Sequence, residues 1–137
     1  MAFLEAFEVS TTGRGTIEIT AQVARVVRAS QIRRGIANVF SQHTSCSLLI
    51  TENADPDVRR DLETLAGRWA PDGDPAYRHD TEGADDMAAH ARSVLTCCSL
   101  TIPVDDGRLL LGTWQGIYLW EHRTSPHLRR ILVTVSG

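Results

Sequence analysis

Alternation of apolar and polar residues at period two recurs along this chain and limits it to a fold built on antiparallel sheet. Phe3, Phe7 and Val9 fall on one face of such a pattern, which predicts a strand over residues 3 to 10. Thr16 to Thr20 reads as a second short strand, and residues 36 to 51 as two more, interrupted near His43. After a DDG turn, RLLLGTWQGIYLWEH reads as one or two strands, and Arg129 to Val135 as the last. SLTIPV, before that turn, completes the set.

Helical periodicity is confined to three places. Thr20 is positioned to cap a helix in which Val23, Val26 and Val27 share a face, with Gly35 ending that region. Asp55 and Pro56 suit the N-cap and first position of a second helix, whose expected buried stripe is Leu62, Leu65, Ala66 and Trp69. A short third helix is expected over about Ala84 to Leu95. The order is roughly ββαββααβββ, an α+β domain with an antiparallel sheet. With 137 residues and no linker, one domain spanning 1–137 is expected.

Composition narrows the chemistry. The fourteen basic residues are all Arg, so no side-chain amine is present to form a Schiff base, and any phosphate must be met by Arg, backbone N–H groups or a metal. The net charge of −3 lacks the basic excess that nucleic-acid binding needs. No apolar run approaches ~20 residues, so no bilayer span is expected. MAFLEAFEVS lacks the basic and long apolar regions of a signal peptide, which predicts a cytoplasmic location. The three cysteines make no disulfide framework, and the pair Cys97 and Cys98, in the apolar run LTCCSLTIPV, is expected to be buried, reduced and structural.

Four stretches carry chemistry. In YRHDTEGADDMAAH, Asp86 and His90 stand four apart on one helix face while Asp85 points elsewhere, and His79 precedes them in a turn. Imidazoles beside a carboxylate suit a metal, although the acids would also serve a helix start. In QHTSCS, His43, Thr44 and Ser45 sit at a strand break that could aim them into a cleft or simply hold a structural hydrogen bond. In TENADPD, Glu52 and Asn53 precede a helix start followed by Arg59 and Arg60, a place for an anion or for ordinary capping. In LGTWQGIYLWEHR, Gln115 lies among large apolar residues and needs a partner or a ligand.

Taken together, HTSCSLLITENADPDVRRDL, YRHDTEGADDMAAH, IPVDDGRLLLGTWQGIYLWEHR and the final RRI strand closely resemble the YjbQ family, also called the secondary thiamine-phosphate synthase enzyme family, over about Arg14 to Val135. The resemblance implies an α+β domain with β-sandwich-like antiparallel sheets and two to three helices, assembled as a homotrimer. It maps the family's polar positions onto His43, Glu52, Asn53, His79, His90 and Gln115. Two positions depart from the family pattern: Cys97 stands where relatives usually carry Gly, and Cys46 replaces a small Ala.

The activity the resemblance implies joins the hydroxymethylpyrimidine diphosphate to the thiazole phosphate and releases pyrophosphate, which needs positive charge from a metal or Arg as the C–O bond breaks. His43, His79 and His90 are expected to converge on a divalent ion, zinc or magnesium, or to act on protons. Asp86 would orient His90. Thr44, Ser45, Glu52, Asn53 and Gln115 would position substrate, with Arg59, Arg123 and Arg129 on phosphates. The expected partners are a small phosphorylated metabolite and further copies of the chain. Two other readings use the same residues: a metal-dependent hydrolase or lyase of another phosphorylated metabolite, and a non-catalytic trimeric binding protein.

Overall fold

The computed structural model describes residues 1–137. The chain forms β1 (Ala2–Ser10), β2 (Gly15–Glu18), α1 (Thr20–Ser30), β3 (Gly35–Ser41), β4 (Cys46–Glu52), α2 (Pro56–Trp69), α3 (Asp86–Leu95), β5 (Ser99–Asp105), β6 (Arg108–Leu109), β7 (Gln115–Glu121) and β8 (Leu128–Ser136). The strands make two antiparallel sheets, one ordered β1-β8-β3-β5-β6 and the other β2-β7-β4. This is the α+β architecture expected; RLLLGTWQGIYLWEH supplies two strands separated by a loop.

The core lies between the sheets and under α1. Ala37, Val39, Ile131, Val133 and Val135 from the five-stranded sheet meet Leu48, Ile117 and Leu119 from the other, and α1 adds Val23, Val26 and Val27. α1 does not start as expected. Ile19 precedes its first residue with no side-chain cap, because the Thr20 hydroxyl donates to Glu18 Oε2 at 2.9 Å and accepts from Ile117 N at 2.9 Å. A bond to a neighbouring strand has replaced the cap. The helix ends at Gln31, in the left-handed region at φ 58°. Gly35 instead opens β3, where a Cβ would collide with the Ser136 carbonyl.

α2 begins as expected, with Asp55 accepting from Asp57 N at 2.9 Å and Pro56 following. Its buried stripe is different. Only Ala66 of the four expected residues is fully buried, and Trp69 is 54% exposed. The face toward the three-stranded sheet is Arg59, Glu63, Ala66 and Ala70, spaced i, i+4, i+7, i+11. Glu63 accepts from Trp120 Nε1 at 2.7 Å and from Arg92 of α3 at 2.6 Å, so polar side chains and small residues dock this helix.

The cysteines divide. Cys46 is buried, but Cys97 and Cys98 are both exposed, against expectation. They lie at the junction of α3 and β5, where the chain leaves the helix and backbone pairing has only begun, with no layer above to cover them.

Candidate metal centre

The loop after α2 turns tightly through PDGDP, and Tyr77 Oη donates to the Pro71 carbonyl at 2.9 Å. Gly83, at φ +105°, makes the last turn before α3. The loop thereby lays His79 against the first turn of α3. Nε2 of His79 reaches Asp86 Oδ2 at 2.6 Å, and Nε2 of His90, one helical turn on, lies 3.2 Å from the same oxygen. The two rings meet edge to face at 5.3 Å. His79, Asp86 and His90 each offer a ligand atom, and these atoms lie within 4.8 Å of one another.

Asp86 is buried, and its other oxygen accepts from Arg123 at 2.9 Å. Burial pushes its carboxyl up, but the His79 bond and the charge of Arg123 outweigh that and hold it below the ordinary carboxylate range. Asp85 points away, as expected, and accepts from Arg123 Nε at 2.9 Å and Thr124 N at 3.0 Å. Arg123 is thus a clamp across both acids and has no free edge for a phosphate.

The second nitrogen of His90 decides what this cluster needs. Nδ1 of His90 lies 3.1 Å from the Thr44 carbonyl, which can only accept, so Nδ1 carries the proton. In the neutral ring, Nε2 is then a lone pair facing a carboxylate oxygen. That contact is repulsive unless a proton or a cation lies between them. A ring that donates one nitrogen to a carbonyl and turns the other toward a carboxylate has the arrangement of a metal-ligating histidine.

His43 does not join the cluster. Its Nε2 accepts from Arg130 N at 2.7 Å, which occupies the lone pair a metal would need. Burial, aided by Arg129, lowers its pKa, so the ring is neutral and caps the β8 backbone. Thr44 contributes its carbonyl to His90, and Ser45 accepts from Arg129 at both its carbonyl (3.1 Å) and hydroxyl (3.0 Å). Arg129 is buried in an ion pair with Glu121, and Thr11 donates to the same carboxylate at 2.7 Å. Arg129 is therefore structural, not a phosphate group in waiting.

The remaining expected site residues lie elsewhere. Cys46 pairs with Glu121 at one end of the β4–β7 ladder, and Glu52 pairs with Gln115 at the other. Six residue steps separate them, about 20 Å at ~3.3 Å per residue. At the far end, Glu52 accepts from Ala54 N and Asp55 N, and Asn53 Nδ2 donates to the Thr113 carbonyl at 3.3 Å. Arg59 donates to the Glu52 carbonyl at 3.0 Å and stacks 4.9 Å over the Tyr118 ring. Gln115 is exposed and folds back to accept from Gly112 N at 2.8 Å. Gln115 and the His cluster do not share a cleft within one chain.

Sequence reasoning missed the buried polar layer behind the centre. His122 is fully buried, with Nε2 2.8 Å from Ser47 Oγ, and burial, aided by Arg92, pushes its pKa down to about 3. The signal was present in LWEHR, where Glu121 and His122 end an apolar strand without turn residues.

A family model described as "UPF0047 protein YjbQ-like" matches residues 5–137. Among similar proteins, the UPF0047 protein sll1880 of Synechocystis is 48% identical over 133 residues, covering 97% of this chain and 90% of that one. The UPF0047 protein YjbQ of Escherichia coli O157:H7 is 43% identical over 141 residues, covering 100% and 99%. A crystal structure of a YjbQ/UPF0047 family protein from Clostridium acetobutylicum superposes with a TM-score of 0.89 at 35% identity, covering 96% and 99%.

Proposed function

This chain belongs to the YjbQ-like UPF0047 family, and from that premise we propose that it is a metal-dependent enzyme acting on a phosphorylated metabolite, with His79, Asp86 and His90 as the ligands. The observation that carries the reading is the His90 ring, held by the Thr44 carbonyl at Nδ1 so that Nε2 faces Asp86 Oδ2 at 3.2 Å, beside His79. Two imidazoles and one carboxylate favour a borderline ion such as zinc over magnesium, which prefers oxygen. Bound there, the ion would polarise a phosphoryl oxygen or a leaving pyrophosphate. Arg123 would keep Asp86 ionised and oriented, and the Thr44 carbonyl would hold His90 in its ligating tautomer. Arg78, beside His79, and Arg130, whose N–H meets His43, are exposed and make no ion pair, so they are the cations free to meet phosphate.

The finer reading is a thiamine-phosphate synthase-like transfer, in which a pyrimidine diphosphate loses pyrophosphate to the thiazole phosphate. It needs room for two substrates. The β4–β7 ladder, ~20 Å long, has the Thr44 carbonyl that holds His90 just beyond one end and Glu52 and Gln115 at the other, which favours hydrolysis or elimination on one substrate wherever a single chain forms the whole site. A transfer would require a neighbouring copy to bring the second set.

Self-association has its own support. The outer face of the five-stranded sheet carries Leu4, Ala6, Ile36, Phe40, Leu132 and Pro103 around the uncharged polar residues Asn38, Thr101 and Thr134, with Glu8 and Arg130 at one end and Asp105 and Arg108 at the other. Neither helices nor the second sheet cover it. A sheet face with exposed Leu4, Ile36 and Phe40 and no charge at its centre suits a second copy, and the family resemblance makes the closed number three. Light scattering across a dilution series tests the trimer. Turnover of a panel of phosphorylated metabolites by metal-loaded protein, with His90→Ala as control, tests the enzyme. Metal and ligand binding without turnover of any of them would favour a binding protein.

A further inference from the structure

The exposed pair Cys97 and Cys98 occupies a joint of the fold. Leu48 N donates to the Cys97 carbonyl at 2.7 Å, and Ser41 N donates to the Cys98 carbonyl at 2.9 Å. Leu48 belongs to β4 and Ser41 to β3, so two successive carbonyls hold one strand from each sheet. Ser41 also accepts from His43 N at 3.4 Å, at the start of the loop whose Thr44 carbonyl fixes His90. Nothing in the metal centre uses either thiol.

We propose that Cys97 and Cys98 form a thiol redox site, oxidised by a peroxide to a disulfide between adjacent residues, and that closing this ring releases the double clamp on β3 and β4. In the first step one thiolate attacks the peroxide. An S–O bond forms, the O–O bond breaks, and water leaves once the departing oxygen is protonated. In the second, the neighbouring thiolate attacks the sulfenic sulfur; an S–S bond forms, the S–O bond breaks and a second water leaves. Two thiols and one hydrogen peroxide give one disulfide and two waters.

Two features of the site govern the outcome. Both thiols are exposed and adjacent, so the resolving thiol is always at hand, while the buried Cys46 is shielded from the oxidant. Cys97 is bridged to β4 and Cys98 lies in a bend, and their Cα atoms, across a trans peptide, stand only ~3.8 Å apart. A disulfide usually spans ~4.4–6.8 Å between Cα atoms, so joining these two sulfurs moves the backbone. The dipeptide carries both clamping carbonyls, so the ring cannot close with both hydrogen bonds intact. The strain makes the disulfide easily reduced, which suits a reversible switch.

The test treats the intact native protein with hydrogen peroxide, follows its mass, digests it with trypsin and records amide exchange. Cleavage after Arg92 and Arg108 isolates both cysteines in one peptide, separate from Cys46. The expected result is loss of two hydrogens per chain within that peptide, reversal by dithiothreitol, and amide exchange at Leu48 and Ser41 faster by ~10-fold or more. Cys97→Ser and Cys98→Ser should each abolish the ring and leave a sulfenic acid that traps with dimedone. Oxygen addition without ring formation, disulfides between chains, or a ring that leaves both amides unchanged would each overturn the proposal.

Discussion

The two ends of the β4–β7 ladder are built on opposite plans. At the Cys46–Glu121 end, side chains from the loop before α3, from α3, and from the chain around β1, β7 and β8 are cross-braced and mostly buried: Asp86 by His79, His90 and Arg123, and Glu121 by Arg129 and Thr11. At the Glu52–Gln115 end, Glu52 and Gln115 spend their oxygens on N–H groups two or three residues away in sequence, Gln115 is exposed, and the side-chain contacts that reach across are single ones, Asn53 to the Thr113 carbonyl and Arg59 over the Tyr118 ring. Long-range bracing fixes geometry before a ligand arrives, whereas local turns fix only the turn. The first end has the preorganisation that metal chemistry requires.

The contrast is broken most severely by Glu121→Gln. It leaves the Arg129 guanidinium buried without its counter-ion, and the expected cost is about 3–5 kcal/mol in urea unfolding. A loss below about 1 kcal/mol would mean the braced end is not what holds this part of the fold. Next comes pH. His122 titrates near 6.5 when unfolded and at about 3 when folded, so the unfolded chain takes up the proton first. Its contribution is full above pH ~6.5 and declines as pH falls toward ~3, by up to about 1.4 kcal/mol per unit. Denaturation midpoints between pH 7 and 4 would show this slope, and His122→Gln would flatten it. The smallest effect belongs to the open end. Gln115→Leu should change stability by no more than about 0.5 kcal/mol, because an exposed side chain loses one local bond. A large loss of stability there would remove the distinction between the ends.

How much of this was legible in the sequence follows the same division. Strands were readable because alternation at period two is imposed by burial of one face, and the start of α2 was readable because Asp55 and Pro56 act within one turn. The Asp86–His90 pair was readable because four residues are one helical turn. What failed depended on distant partners. Thr20 was drawn away from capping by Ile117, and α2 turned its charged face inward because Glu63 meets Trp120 and Arg92. His43 and Gln115 carry side chains suited to a site, but residue type does not say which end of a strand a side chain reaches. Exposure of Cys97 and Cys98 was equally hidden, because an apolar run does not reveal where a covering layer stops.

The central claim is that His79, Asp86 and His90 hold a divalent ion, and zinc titration followed by calorimetry tests it most directly on three proteins: the unaltered chain, His90→Ala and Gln115→Leu. The account predicts one ion per chain for the unaltered protein and for Gln115→Leu, with binding at least ~100-fold weaker for His90→Ala while its circular dichroism and assembly state are unchanged. Zinc bound equally well by His90→Ala, or no stoichiometric binding by the unaltered protein, would contradict it.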